Sequence, residues 1–149
     1  MSVEVFELNA SHRSLWQPLA EGYKAFYRTA TTDAEYDEAW RRLMAGSEVH
    51  GLGARIDGQF VGIAHYLHHA STWAPRVCYL QDLFTAPTAR GRGVARALIE
   101  AIAARARAAG AARYYWLTQD HNETARRLYD RVARFNGFIR YDFALQQGA

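Results

Sequence analysis

The chain has 149 residues, half of them hydrophobic and 22% charged, with a net charge of +3 at pH 7. That length and composition suit one domain, expected to span residues 1–149, with a proper core, and exclude a disordered chain. No apolar run approaches the roughly 20 residues that span a bilayer, and the single cysteine, Cys78, excludes an internal disulfide.

The first ten residues, MSVEVFELNA, are acidic and alternating rather than basic and then apolar. No signal peptide is expected, and with one cysteine a reducing cytoplasm is the expected compartment. Val3, Val5 and Phe6 belong to a short extended segment. Ser14 is placed to cap a helix running to about Tyr27, with Leu15, Leu19, Tyr23 and Phe26 at helical spacing and Pro18 near its first turn. A second helix starts at Thr32, where Thr32-Asp-Ala-Glu35 forms a capping box, and stops near Gly46.

From His50 the period changes to that of strands. The runs 51–56 and 60–68 flank Asp57-Gly58, a strong hairpin signal. Ser71 to Pro75 reads as a turn and Val77 to Thr85 as a strand. Val94 to Ala109 is an alanine-rich helix ended by Gly110, with Leu98 and Ile102 four apart. Tyr114 to Thr118 reads as a strand. Asn122 is placed to cap a helix through Val132, with Ala125, Leu128, Tyr129 and Val132 on one face. Phe138 to Leu145 reads as a last strand. The order β-α-α-β-β-β-α-β-α-β predicts an α/β fold with a mostly antiparallel mixed sheet and one strand–helix–strand crossover pairing in parallel.

Thr88 to Leu98 reads TARGRGVARAL: two glycines and three arginines directly before a helix. A helix start leaves its first N–H groups unpaired and carries partial positive charge. Glycines let the preceding backbone curl, so that several N–H groups converge on one anion, and Arg90, Arg92 and Arg96 add full charges suited to phosphate. The P-loop pattern is not met, because no lysine follows the second glycine. The dinucleotide fingerprint wants a small residue where Arg96 stands.

Arg90-Gly-Arg-Gly93-Val-Ala95 resembles the Gln/Arg-x-x-Gly-x-Gly/Ala pyrophosphate motif of GNAT acetyltransferases. Tyr79 to Phe84 stands where that family has the strand before the loop, and Asn122 and Tyr129, in HNETARRLYDRVARFNGF, resemble its C-terminal signature. The match is strong over about residues 77–143, and CYLQDLF, YYWLTQ and LYDRVA…GFI look most like the subgroup named for yeast histone acetyltransferases. The resemblance implies a GNAT-like fold with helices on both sheet faces and a splayed parallel strand pair. It implies acetyl-CoA as cosubstrate, with its diphosphate on the amides of residues 91–95 (Gly91, Arg92, Gly93, Val94 and Ala95) flanked by Arg90 and Arg96. The pantetheine arm would lie along Leu83, Phe84 and Thr85, and Asn122 would touch the cofactor. A homodimer, through the C-terminal strand, is also implied.

Acetyl transfer to an amine needs a base, because an alkylamine with a pKa near ~10.4 is mostly protonated at neutral pH. It also needs an acid for the departing thiolate. Tyr129 matches the family's general acid, although its place on an apolar helix stripe also suits core packing. Relatives carry a glutamate before the loop, where this chain has Gln81-Asp82. Asp82 is the candidate base, with His65, His68, His69 and a water chain as alternatives. The histidine spacings match no zinc motif, so no metal is expected. Cys78 has no evident histidine partner and reads as a small buried hydrophobe.

Tyr23 and Tyr27, four apart, either line the acceptor site or pack the helix down; Phe26 is expected to pack. The acidic group Asp33, Glu35, Asp37 and Glu38 suits a helix start and would also attract a polyamine or lysine-rich tail. The expected function is N-acetyl transfer from acetyl-CoA to a primary amine: a small amine, polyamine, amino acid or protein lysine. Two alternatives remain. One is a CoA-binding sensor without turnover, suggested by Gln81. The other is a nucleic-acid-binding module, suggested by the charge asymmetry: residues 1–85 carry 7 basic and 10 acidic side chains, residues 86–149 carry 11 and 5. No recognition-helix or RNA-platform pattern supports the latter, and no membrane partner is expected.

Overall fold

The computed structural model describes residues 2–146. Residues up to Leu117 form one compact unit and those from Thr118 a second.

The larger unit holds five strands: β1 (Glu4–Glu7), β2 (His50–Ile56), β3 (Gln59–His69), β4 (Val77–Thr85) and β5 (Arg113–Trp116). They form one sheet in the order β1-β2-β3-β4-β5. The first three pairings are antiparallel, and β4 and β5 run parallel. Three helices complete the unit: α1 (Arg13–Phe26), α2 (Asp33–Ala45) and α3 (Val94–Ala108). The parallel pair follows from the connection, because a strand leaving through a helix returns in its original direction.

Consecutive strand residues face opposite sides of a sheet. Ile63 of β3 packs into a cluster with Trp16, Leu19 and Ala20 of α1 and Tyr36, Trp40 and Leu43 of α2. Its neighbour Gly62 faces Val94 and Leu98 of α3. Helices therefore cover both faces, and Leu98 and Ile102 are wholly buried under α3. Burying one such leucine stabilises by about 1.5–3 kcal/mol, so these contacts, rather than helix propensity, hold α3 down.

Several local signals appear where they were predicted. Thr32 Oγ1 accepts from Glu35 N–H while Glu35 Oε1 accepts from Thr32 N–H, both at 3.2 Å, and Gly46 ends α2 in the left-handed region. Asp57 and Gly58, both at positive φ, turn the β2–β3 hairpin. Of the acidic side chains near the start of α2, Asp37 meets Arg13 at 2.7 Å and Glu38 pairs with Arg41 and Arg42.

Four expectations are corrected. Ser14 does not cap α1. A short 3-10 turn, Ala10–His12, precedes the helix, and Asn9 caps that turn in a box with His12. Pro18 consequently lies deeper in the helix than its first turn. The buried stripe of α1 is Trp16, Leu19 and Ala20, with Leu15 and Phe26 exposed. Phe26 meets Tyr27 edge-on. Strand β5 stops at Trp116, short of Thr118.

The fourth correction falls in the smaller unit, whose single regular element among the described residues is α4 (Glu123–Val132). Asn122 caps it through a bond from Ala125 N–H at 3.3 Å, as its sequence suggested. Residues 138–145 form no strand. Their apolar alternation has the right period, but a strand also needs a partner for its backbone groups, and among the described residues none pairs with it.

Candidate active site

The turn before α3 is built as its glycines require. Gly91 and Gly93 have φ of 78° and 84°, a region that side chains disfavour by roughly 1–2 kcal/mol. No side chain caps α3. Among the described residues, the N–H groups of Gly93, Val94 and Ala95 have no hydrogen-bond acceptor. A Cβ built on either glycine would meet nothing within 4 Å. The result is an open patch of unpaired amides at the positive end of a 15-residue helix, chemistry that suits an anion.

Arg90 reaches back to the Thr85 carbonyl at 3.4 Å and lies over the Phe84 ring. Arg96 pairs with Glu100 at 2.8 Å, but both side chains are more than half exposed, so that pair exchanges readily with a ligand. Arg92 stands exposed in the turn itself.

Strand β4 leads into this turn with one edge open. Pairing with β5 runs from Val77↔Arg113 to Leu80↔Trp116 and ends there. Leu83, Phe84 and Thr85 pair only with β3, opposite Ala64, Ile63 and Gly62. Apart from the Thr85 carbonyl, which Arg90 Nε meets, the backbone groups this stretch turns toward the β5 side have no strand partner among the described residues and could serve a peptide-like ligand. The parallel pair that the family resemblance implied is present, and its ladder ends where β5 ends, at Trp116.

Between paired and splayed parts lies a bulge. His65 is opposite Asp82 and Tyr66 is opposite Leu80, so Gln81 is the extra residue. Bulges re-aim side chains, often beside active sites. Gln81 is exposed, while Asp82 is drawn in beneath α1.

Asp82 is the centre of a buried polar group. Its Oδ2 lies 2.9 Å from His65 Nδ1, and His65 Nε2 accepts from Trp16 Nε1–H, also at 2.9 Å. Tyr23 lies beside the same carboxylate and acts on its charge, and its ring centroid is 5.0 Å from that of Tyr27. The close approach of α1 that delivers Tyr23 depends on Gly22: a Cβ there would stand 2.9 Å from the Phe84 ring. Burial works against the Asp82 charge, but the His65 hydrogen bond, the Tyr23 hydroxyl and the Lys24 charge outweigh it and hold the carboxyl below its usual range. Burial, then the Asp82 charge, pushes the Tyr23 phenol up. The Asp82 side chain remains 27% exposed, so a substrate can reach it.

The other candidates fall elsewhere. His69 bonds the Tyr115 hydroxyl at 3.0 Å. Burial, then His50 and Arg76, hold the His68 imidazole below its ordinary range. Among the described residues, no three His, Cys, Asp or Glu side chains are grouped to hold a metal. Cys78 is wholly buried, and burial pushes its thiol up to about 11, which suits a core residue rather than a nucleophile.

Tyr27 is partly exposed, with its ring centroid 5.0 Å from that of Tyr23. In the smaller unit, Tyr129 is half-buried on α4, and the Asn122 side chain is engaged at the helix cap.

Sequence reasoning weighed Asp82 and His65 as rival bases and missed that they bond each other, with Trp16 behind them. The available signals were the antiparallel pairing of 60–68 with 77–85, and the Trp16-Leu19-Ala20-Tyr23 spacing of one buried helical stripe.

The chain is 33% identical over 130 residues to the D-amino-acid N-acetyltransferase HPA3 of Saccharomyces cerevisiae, covering 79% of this chain and 76% of that protein. It is 33% identical over 99 residues to the thialysine N-epsilon-acetyltransferase of Caenorhabditis elegans, covering 66% and 62%. Its fold matches that of AAC(6')-Iy in complex with the bisubstrate analog CoA-S-monomethyl-acetylneamine, with a TM-score of 0.84 over 99% of each chain at 18% identity. Residues 16–135, which hold both the glycine turn and the Asp82 cluster, match the model of the acetyltransferase (GNAT) family, and the chain belongs to that family.

Proposed function

We propose that the protein transfers an acetyl group from acetyl-CoA to a primary amine carried on a small molecule, amino acids foremost. The observation that carries this reading is the uncapped, glycine-turned start of α3 beside the unpaired end of β4. When bound, acetyl-CoA supplies a thioester-activated acetyl group. The amides of residues 91–95 would hold its diphosphate, with Arg90, Arg92 and Arg96 adding charge. The main chain of Leu83, Phe84 and Thr85 would receive the amide groups of its arm. The role of Asn122 as a further contact rests on its match to the family signature.

Asp82 then takes the proton that the amine must lose before it attacks. Tyr129 gives its phenolic proton to the departing sulfur. One C–N bond forms as one C–S bond breaks, within a ternary complex and without a covalent enzyme intermediate. Tyr23 and Tyr27 line the approach to Asp82, which favours an amine on a short alkyl stem. The names of the yeast and nematode relatives, which specify D-amino acids and thialysine, support an amino-acid acceptor.

Thiol release from acetyl-CoA, followed across D-amino acids, lysine, thialysine, polyamines and aminoglycosides, tests the reading. Acetyl-CoA binding with no release for any amine would make the protein a sensor instead. Tyr129→Phe is expected to leave acetyl-CoA affinity nearly unchanged and to slow turnover by roughly 10²-fold. An unchanged rate would reduce Tyr129 to a packing residue.

The proposal extends to a homodimer. Phe135, Phe138, Ile139, Tyr141, Phe143 and Leu145 are 63% to 91% exposed, a concentration of apolar side chains that a second copy would cover. Equilibrium sedimentation is expected to read twice the 16.9 kDa chain mass, and Phe143→Glu to lower it. A wild-type protein that sediments as one chain contradicts this.

A further inference from the structure

The cluster behind Asp82 contains more order than a base requires. Trp16 Nε1–H can only donate. At 2.9 Å from His65 Nε2, it requires a lone pair on that nitrogen. A neutral imidazole has one donor and one acceptor nitrogen, so the ring proton sits on Nδ1. Nδ1–H then faces Asp82 Oδ2 at 2.9 Å and donates to it. Trp16 is 2% exposed and His65 9%, so no water competes easily for either group.

We propose that Trp16 is a positioning residue for the proposed base: its indole N–H confines His65 to the neutral Nδ1–H form, so that Asp82 receives one aimed hydrogen bond and is not closed into an ion pair with an imidazolium. A second proton on Nε2 would set N–H against N–H and strip a buried indole of its acceptor. Among the described residues, the other groups that act on the carboxylate are the Tyr23 hydroxyl and the Lys24 charge, both on α1, with the Tyr27 ring 5.0 Å from that of Tyr23. Among side-chain types only histidine ordinarily changes charge between about pH 5 and 8, so a change of state in that window belongs to the ring. The consequence is a carboxylate whose basicity stays constant as pH falls through that window.

The inference rests on Asp82 being the base, and its test separates the two claims. Long-range proton–nitrogen spectra of the ¹⁵N-histidine protein, with His65 signals assigned by their loss in His65→Asn, read the ring directly and need no acetyl transfer. In the full-length wild type, Nδ1 is expected to be protonated and Nε2 bare from pH 8 down to about pH 5.5. In Trp16→Phe, both nitrogens are expected to become protonated within that range. The kcat of this variant should then fall about fivefold further than wild type between pH 8 and pH 6, with the KM for acetyl-CoA unmoved.

A wild-type ring protonated on Nε2, or identical titrations in the two proteins, overturns the proposal. Should Trp16→Phe fail to fold, the wild-type ring still decides the tautomer. His65→Asn, which keeps a donor in the place of Nδ1, should then retain at least tenfold more turnover than His65→Leu, and equal losses would overturn the positioning role. Absence of acetyl transfer in every protein would refute the proposed function while the ring spectra still answered the question about Trp16.

Discussion

Gly93→Arg is expected to abolish detectable acetyl-CoA binding, a loss of more than about 100-fold, or ~2.7 kcal/mol. A side chain at Gly93 enters the open space before α3, where a Cβ meets no protein atom within 4 Å. It would occupy the space assigned to the diphosphate. The φ of 84° adds backbone strain that weakens folding whatever the ligand does. Gly58→Arg controls for this. Gly58 also has positive φ (79°) and an open Cβ direction, but it lies in the β2–β3 hairpin turn. Both variants should lose a similar amount of thermal stability, and only Gly93→Arg should lose binding by calorimetry. Binding that survives in Gly93→Arg means that the glycine turn is not the anion site.

Asp82→Asn should leave acetyl-CoA affinity within about threefold and lower kcat by roughly 10²–10⁴-fold, the range for loss of a general base. The amide keeps the shape and can accept from His65, but it cannot take a proton. The same variant has a signature in stability. The Asp82 carboxyl lies below its unfolded range in the folded protein, so it binds its proton more weakly there. Its stabilising contribution is therefore present above about pH 4 and lost as pH falls through the folded value. Wild type should lose stability across that acid window more steeply than Asp82→Asn. Equal turnover in the two proteins would move the base to another group or to solvent.

The parts of this fold that were legible in the sequence are those with local causes. Val77–Thr85 forms a strand with the predicted bounds because β-branched and aromatic residues run between two turn-forming stretches. The Thr32 box and the Asn122 cap need only a few neighbouring residues. The glycine turn was legible as a positive-φ bend before an uncapped helix start because φ and helix polarity are local properties. What was missed depends on distant partners. Ser14 is not a cap because the chain enters α1 through a 3-10 turn, itself capped by Asn9, which the apolar spacing does not report. The alternation of residues 138–145 carried the period of a strand but not the partner that makes one.

The bulge at Gln81 was also beyond a period argument. A regular strand puts Gln81 and Asp82 on opposite faces, and only the register against His65 and Tyr66 reveals the extra residue. Trp16 and His65 are 49 positions apart, and their bond exists because the buried stripe of α1 crosses β3. In this site the residues that act on Asp82 come from α1 and β3, each far from it in sequence.

The proposed function requires the amides at the start of α3 and the unpaired edge of β4 to form one binding surface for acetyl-CoA. Electron density from crystals of the protein grown with that compound tests it most directly. The account predicts the diphosphate within hydrogen-bond distance of the Gly93, Val94 and Ala95 amides, and the arm alongside Leu83 to Thr85. Density for the compound elsewhere, or those amides capped by the protein's own groups with the compound in excess, would contradict it.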